Sequence, residues 1–199
     1  ALQDEIAGRI GAQLQTSLGV AVAPTARAPI PPEAYDDYLK GRALYRKRQS
    51  LMQALAYFDS AVERAPEFAA GWASLALTYE TVHGYVSQAE VASLGDVGAR
   101  LRSTSERAIA LEPGSAMTLH VQGNLARADF RYAEAERLYR QAMAVDPTYP
   151  DVREDLAQLY NIVGRNDDAV VEVRKLVALE PFVANFWMPL LQGGISLDR

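Results

Sequence analysis

Cysteine is absent from the 199 residues, which removes disulfides and thiolate metal sites from consideration. Histidine occurs only twice, as His83 and His120, with no H-x3-H or H-E-x-x-H spacing, so no histidine-based metal site is expected. Positive charge is in the minority, 20 Lys and Arg against 25 Asp and Glu, and the net charge of −5 argues against a nucleic-acid partner, which needs a basic face. No apolar run approaches the roughly 18 residues of a membrane span, so no membrane insertion by this region is expected. No G-x-S-x-G elbow, phosphate-cradling glycine loop or Cys–His pair occurs. Carboxylate pairs such as Asp36-Asp37 and Asp167-Asp168 fit solvated helix ends better than general acid–base work. The expectation is a chain without catalytic residues, cofactor or metal.

What is present is a period. Pro113, Pro147 and Pro181 stand 34 residues apart, in the matching phrases Ala-Leu-Glu-Pro113, Ala-Val-Asp-Pro147 and Ala-Leu-Glu-Pro181. Pro66, in Glu-Arg-Ala-Pro66, precedes Pro113 by 47 residues, one period plus about 13 inserted residues. The octet Trp72-Ala-Ser-Leu75-Ala76-Leu-Thr-Tyr79 resembles the W-x2-L-G-x2-Y opening of a tetratricopeptide repeat (TPR), with Ala76 in the glycine place. This resemblance implies an all-α fold: a right-handed superhelical solenoid of antiparallel helix pairs, about four repeats long. Its function is then to be sought on the surface that such an array presents.

In chain order, Leu2, Ile6, Ile10, Leu14 and Leu18 recur at helical spacing, predicting one extra N-terminal helix over residues 1–18. The start lacks methionine, and the segment reads as the end of a preceding domain cut from a longer protein. Residues 19–32 carry four prolines and read as a stiff linker. Residues 33–199 are the repeat array. In repeat one, Tyr35, Tyr38, Leu39, Gly41 and Leu44 mark the first helix, and Ser50-Leu-Met-Gln53 predicts a capping box opening the second. Gly41 to Ala54 is one residue longer than the repeat pattern, leaving the register of that first helix open by one. Repeat two contains the insertion, residues 83–96, expected as a loop or short helix, and Ser105 replaces the large aromatic of its second helix. Repeat three opens on a Ser115 cap and has Gly123 and Tyr139 in the glycine and aromatic places. Repeat four has Pro150 in its first turn, Gly164 ending its first helix and Asn166 capping its second. A last helix over about residues 184–197 is either a cap or half of a fifth repeat. Trp72, Leu75, Tyr79, Phe58, Tyr139 and Tyr160 are expected in the core.

Two further motifs are more specific than the repeat. Leu2-Gln-Asp-Glu-Ile-Ala-Gly-Arg-Ile10 resembles the end of the TolB-like region of certain large bacterial regulators. Ala34-Tyr-Asp-Asp-Tyr-Leu-Lys-Gly-Arg-Ala-Leu44 resembles the A-Y-x-x-Y-L-x-G-R-x-L sequence that opens their TPR arrays. Such proteins carry an N-terminal effector, often a class III adenylate cyclase or a winged-helix DNA-binding domain. The resemblance implies a sensory or regulatory part of a signalling protein, with no effector residue in this sequence. Whether the compartment is cytoplasmic or, behind an upstream membrane span, periplasmic stays open.

In TPRs the first helices line the concave side. The residues one, five and eight after the Trp place share a helical face. That rule gives Tyr38, Arg42 and Tyr45 in repeat one and Ala73, Leu77 and Glu80 in repeat two. It gives His120, Asn124 and Arg127 in repeat three, and Glu154, Gln158 and Asn161 in repeat four. The expected function is a non-catalytic module that binds a protein or peptide segment in this groove. An oligomerisation scaffold, such as a homodimer through the N-terminal helix or terminal repeat, is the alternative. Replacing Arg127 by Glu and Asn124 by Ala is expected to abolish capture while leaving the thermal midpoint within a few degrees; the alternative is that these are solvated helix faces, with Arg42 and Arg127 pairing to neighbouring acids.

Overall fold

A computed structural model describes residues 29–179 apart from Gln49, and among these every regular element is an α-helix. The expected helix over residues 1–18, most of the linker and the last helix lie outside the described residues. Four helix pairs follow one another. Repeat one is α1 (Pro32–Arg46) and α2 (Leu51–Arg64); repeat two is α3 (Ala69–Tyr85) and α5 (Val97–Leu111), with the short α4 (Gln88–Ser93) between them. Repeat three is α6 (Ala116–Ala128) and α7 (Tyr132–Val145), and repeat four is α8 (Pro150–Ile162) and α9 (Asn166–Leu179). Packing is heaviest within each pair. It continues from pair to pair through α2 on α3, α5 on α6 and α7 on α8, while the inner helices α3 and α6 also touch.

The local sequence explains the helix ends. Pro32 and Pro150 occupy first turns, where a missing N–H leaves no bond unmade. The Ser115 hydroxyl accepts from the Thr118 amide at 3.2 Å, and Gly164 ends α8 at φ +77°. In the insertion Ser87 and Glu90 form a reciprocal capping box that starts α4. Ser50 differs from expectation. It lies in the left-handed region (φ 52°), and its side chain caps nothing. Asn166 stands at the first position of α9 rather than before it, a one-residue shift within the usual uncertainty of helix ends.

The chain geometry around Ser50 also resolves the register of repeat one. A Cβ added to Gly41 would lie 2.6 Å from Phe58 Cε1, just as one on Gly123 would strike Tyr139, so Gly41 holds the glycine place. The extra residue is taken up in the α1–α2 turn, where Arg48 and Ser50 both adopt positive φ. Where the glycine is replaced, the aromatic is too: Ala76 goes with Ser105, and Ala157 with Val173, all four buried. A methyl on one helix is balanced by lost volume on its partner.

The core has two main parts. One gathers Leu55, Phe58, Leu75, Tyr79 and Val82 of repeats one and two; the other gathers Tyr139, Val152, Leu156, Tyr160 and Val173 of repeats three and four. Met117 packs against both. Of the expected core residues, Trp72 alone keeps partial exposure, and its indole N–H donates to the Pro66 carbonyl at 2.9 Å. Helix α3 is buried around most of its circumference, because α2, α5 and α6 all pack on it.

Candidate partner-binding cleft

The inner helices meet around a cavity of about 380 Å³. Its charged walls are Arg48, Glu80, Arg127, Asp151, Glu154 and Asp155. Tyr45, Thr81, Gly84, Tyr85 and Gln158 complete it. All four repeats therefore contribute. Asp151, Glu154, Asp155 and Gln158 follow the i, i+3, i+4, i+7 spacing of one helix face on α8, which points three acids and an amide into the same space.

Two guanidinium groups bridge the walls. Arg48, in the α1–α2 turn, lies with its guanidinium 4.1 Å from the Tyr45 ring centroid. It donates to the Tyr45 carbonyl and to Glu154 Oε2, both at 3.2 Å, and sits 3.9 Å from Asp151 Oδ1. The positive φ of Arg48 turns the chain so that its side chain crosses to repeat four. Opposite, Arg127 pairs with Glu80 and stands 3.9 Å from Asp155 Oδ1. Asn124 donates to Glu80 and accepts from the Tyr139 hydroxyl at 2.6 Å. His120, almost fully buried, has Nε2 2.5 Å from Asp155 Oδ2 and Nδ1 2.9 Å from the Tyr149 hydroxyl.

The carboxylates do not share one environment. Burial, aided by the negative charges of Asp155 and Asp151, outweighs Arg48 and pushes Glu154 up to about 8. Burial also raises Glu80, with the Asp155 charge adding to it. Burial opposes ionisation of Asp155 as well, yet its hydrogen bond with His120 and the charge of Arg127 hold it down at about 2.

The groove residues expected from sequence divide into three sets. Tyr45, Glu80, Arg127, Glu154 and Gln158 line the cavity. Arg42, His120 and Asn124 stand behind its walls: Arg42 Nη1 is 3.9 Å from Asp151 Oδ2, and the other two support Asp155 and Glu80. Tyr38, Leu77 and Asn161 do not line it. Tyr38 packs on Phe58 and Phe68 and reaches Met117 Sδ at 3.9 Å, while Leu77, like its neighbour Ala73, is core. The physical reason is the enclosure of α3, whose groove stripe is covered by neighbouring helices over Ala73 and Leu77. Only at Glu80 does it emerge. Arg48, Thr81, Gly84, Tyr85, Asp151 and Asp155 were not anticipated. The acidic helical stripe of α8 was the available signal for Asp151 and Asp155. Nothing in the sequence pattern announces that Arg48 crosses the groove.

Residues 126–188 match the family model described as tetratricopeptide repeat. No curated protein matches the sequence. Among solved structures, the chain is similar to TTC0263, a thermophilic TPR protein of Thermus thermophilus, with 21% identity, 82% of each chain covered and a TM-score of 0.58. It is also similar to pilF of Pseudomonas aeruginosa, with 21% identity, 81% of this chain and 68% of that one covered, and a TM-score of 0.51. Stacked helix pairs over a core of interlocked glycine and aromatic places give this chain the fold of tetratricopeptide-repeat solenoids, and the family's own sequence pattern is matched over residues 126–188.

Proposed function

We propose that this chain is a non-catalytic protein-interaction module that takes a segment of another protein into the concave cleft. The observation that carries this reading is the convergence of side chains from all four repeats on one open, charged cavity. Buried charges cost stability unless paired, and a solenoid needs none of them to stack its helices. Their concentration on the inner wall, rather than on the outer helices, fits recognition. The TolB-like and A-Y-x-x-Y-L motifs support a place in a larger bacterial signalling protein, where occupancy of the cleft would pass to an effector domain.

Gly84 offers a clean test. It lies at the mouth of the cleft near the end of α3, and an added Cβ there meets no atom within 4 Å. Panning a displayed random-peptide library on the whole chain should yield binders, and Gly84→Trp should block them while keeping the thermal midpoint within a few degrees. Binders that hold Gly84→Trp as tightly as the parent would place recognition elsewhere.

A further inference from the structure

Resting on that reading, we infer that the cleft selects a partner segment that inserts a cationic side chain, lysine or arginine, between the α8 acids and Glu80. Four carboxylates line the cavity against two guanidinium groups. Arg42 stands behind Asp151, His120 is committed to one oxygen of Asp155, and Glu154, pushed up to about 8 by burial, is a carboxyl whose ionised form an entering cation would favour.

The decisive group is Asp151. It is 5% exposed, it lines the cavity, and its Oδ2 accepts no hydrogen bond. Arg42 and Arg48 each stop 3.9 Å from it, beyond hydrogen-bond length. A buried carboxylate oxygen without a donor is costly, and an incoming ammonium or guanidinium supplies the missing donor. Glu154 beside it shares Arg48 with Asp151, so that single guanidinium is divided between two acidic side chains.

Arg42 Nη1, which faces Asp151 Oδ2, and the Nε atoms of Arg48 and Arg127 are likewise buried without an acceptor, which raises the opposite possibility of an acidic guest. The acids already in place decide against it. Arg48 stands between Asp151 and Glu154, and Arg127 between Glu80 and Asp155, so an anion approaching either guanidinium would have to displace a partner it already has. A peptide carbonyl, which carries no net charge, suits those Nε donors better. The entrance fits a long basic side chain as well. Gly84 leaves the mouth open, and the half-exposed Tyr85 ring can cover the methylene stem or face the cation.

The test uses a peptide selected on the whole chain and shown to be blocked by Gly84→Trp. Its basic residue is replaced in turn by norleucine and by Nε-acetyl-lysine, and affinities are read by calorimetry. The inference expects a loss of 10-fold or more for both replacements. It also expects a similar loss for the parent peptide on Gln158→Lys, which places a competing ammonium on a partly exposed position without disturbing a buried pair. Gln158→Glu should tighten binding. Cleft-blocked peptides that lack a basic residue, or that bind equally after neutralisation, overturn the inference and leave the protein-binding reading standing. Selection of acidic peptides does the same. Failure of any peptide to bind at millimolar concentration overturns both.

Discussion

A methyl group on Gly41 would sit 2.6 Å from Phe58 Cε1, closer than any carbon pair tolerates. The two residues occupy one volume. Gly41→Ala is therefore expected to destabilise the chain by about 1–3 kcal/mol, the usual cost of overpacking. Gly41→Ala with Phe58→Leu should cost less than the sum of the single changes, because the smaller side chain vacates the space that the methyl needs. Urea denaturation of the three variants measures the coupling. Additive effects would show that the two sites are independent.

Phe58→Ala alone should cost about 3–5 kcal/mol, since the ring is fully buried between α1, α2 and the repeat-two helix α3. A change below about 1 kcal/mol in the same urea titration would contradict the packing described.

The double change Arg127→Glu with Asn124→Ala, expected from sequence to leave the thermal midpoint nearly unchanged, should instead destabilise strongly. Arg127 is the cation between Glu80 and Asp155, and Asn124 is a buried partner of Glu80 and Tyr139. Removing the cation from buried acids costs about 3–5 kcal/mol, before the introduced carboxylate adds repulsion. A midpoint within two or three degrees of the parent would show that the network contributes nothing.

Stability should also depend on pH in two opposed ways. Glu154 titrates at about 8 when folded, above its ordinary value of 4.5. The folded state thus holds an extra proton between those values, and stability declines as pH rises from about 4.5 through 8. Asp155 titrates at about 2, below its ordinary 3.8. Its contribution is present above the ordinary value and fades as pH falls towards 2. Denaturant midpoints across pH 2.5–9 should decline on both sides, with Glu154→Gln flattening the alkaline limb and Asp155→Asn the acid limb. Identical limbs in the variants would assign the titration to other groups.

The proline period made the fold legible because each repeat must bury the same face against the next, which fixes residue type at constant spacing. The glycine and aromatic places were readable for the same reason. The cleft was harder. A rule fitted to single repeats located Glu80, Arg127, Glu154 and Gln158, but it could not foresee that α3 would be enclosed over Ala73 and Leu77. Nor could it foresee Arg48, whose position depends on two left-handed residues in a turn with one residue too many. Contacts between repeats three places apart leave no period in the sequence.

The Arg48–Glu154 contact spans 106 residues, whereas neighbouring repeats otherwise meet over much shorter separations. Repeat arrays zip from any starting point, since each unit needs only its neighbour. This clasp must wait until the first and fourth repeats have both formed and been brought to their final spacing. It belongs to the end of folding. Substituting Arg48 by Met should hence accelerate unfolding while leaving the refolding rate almost unchanged, the kinetic mark of an interaction absent from the transition state. The terminal units of a solenoid ordinarily fray independently; here repeat one cannot peel away without tearing a charge from repeat four.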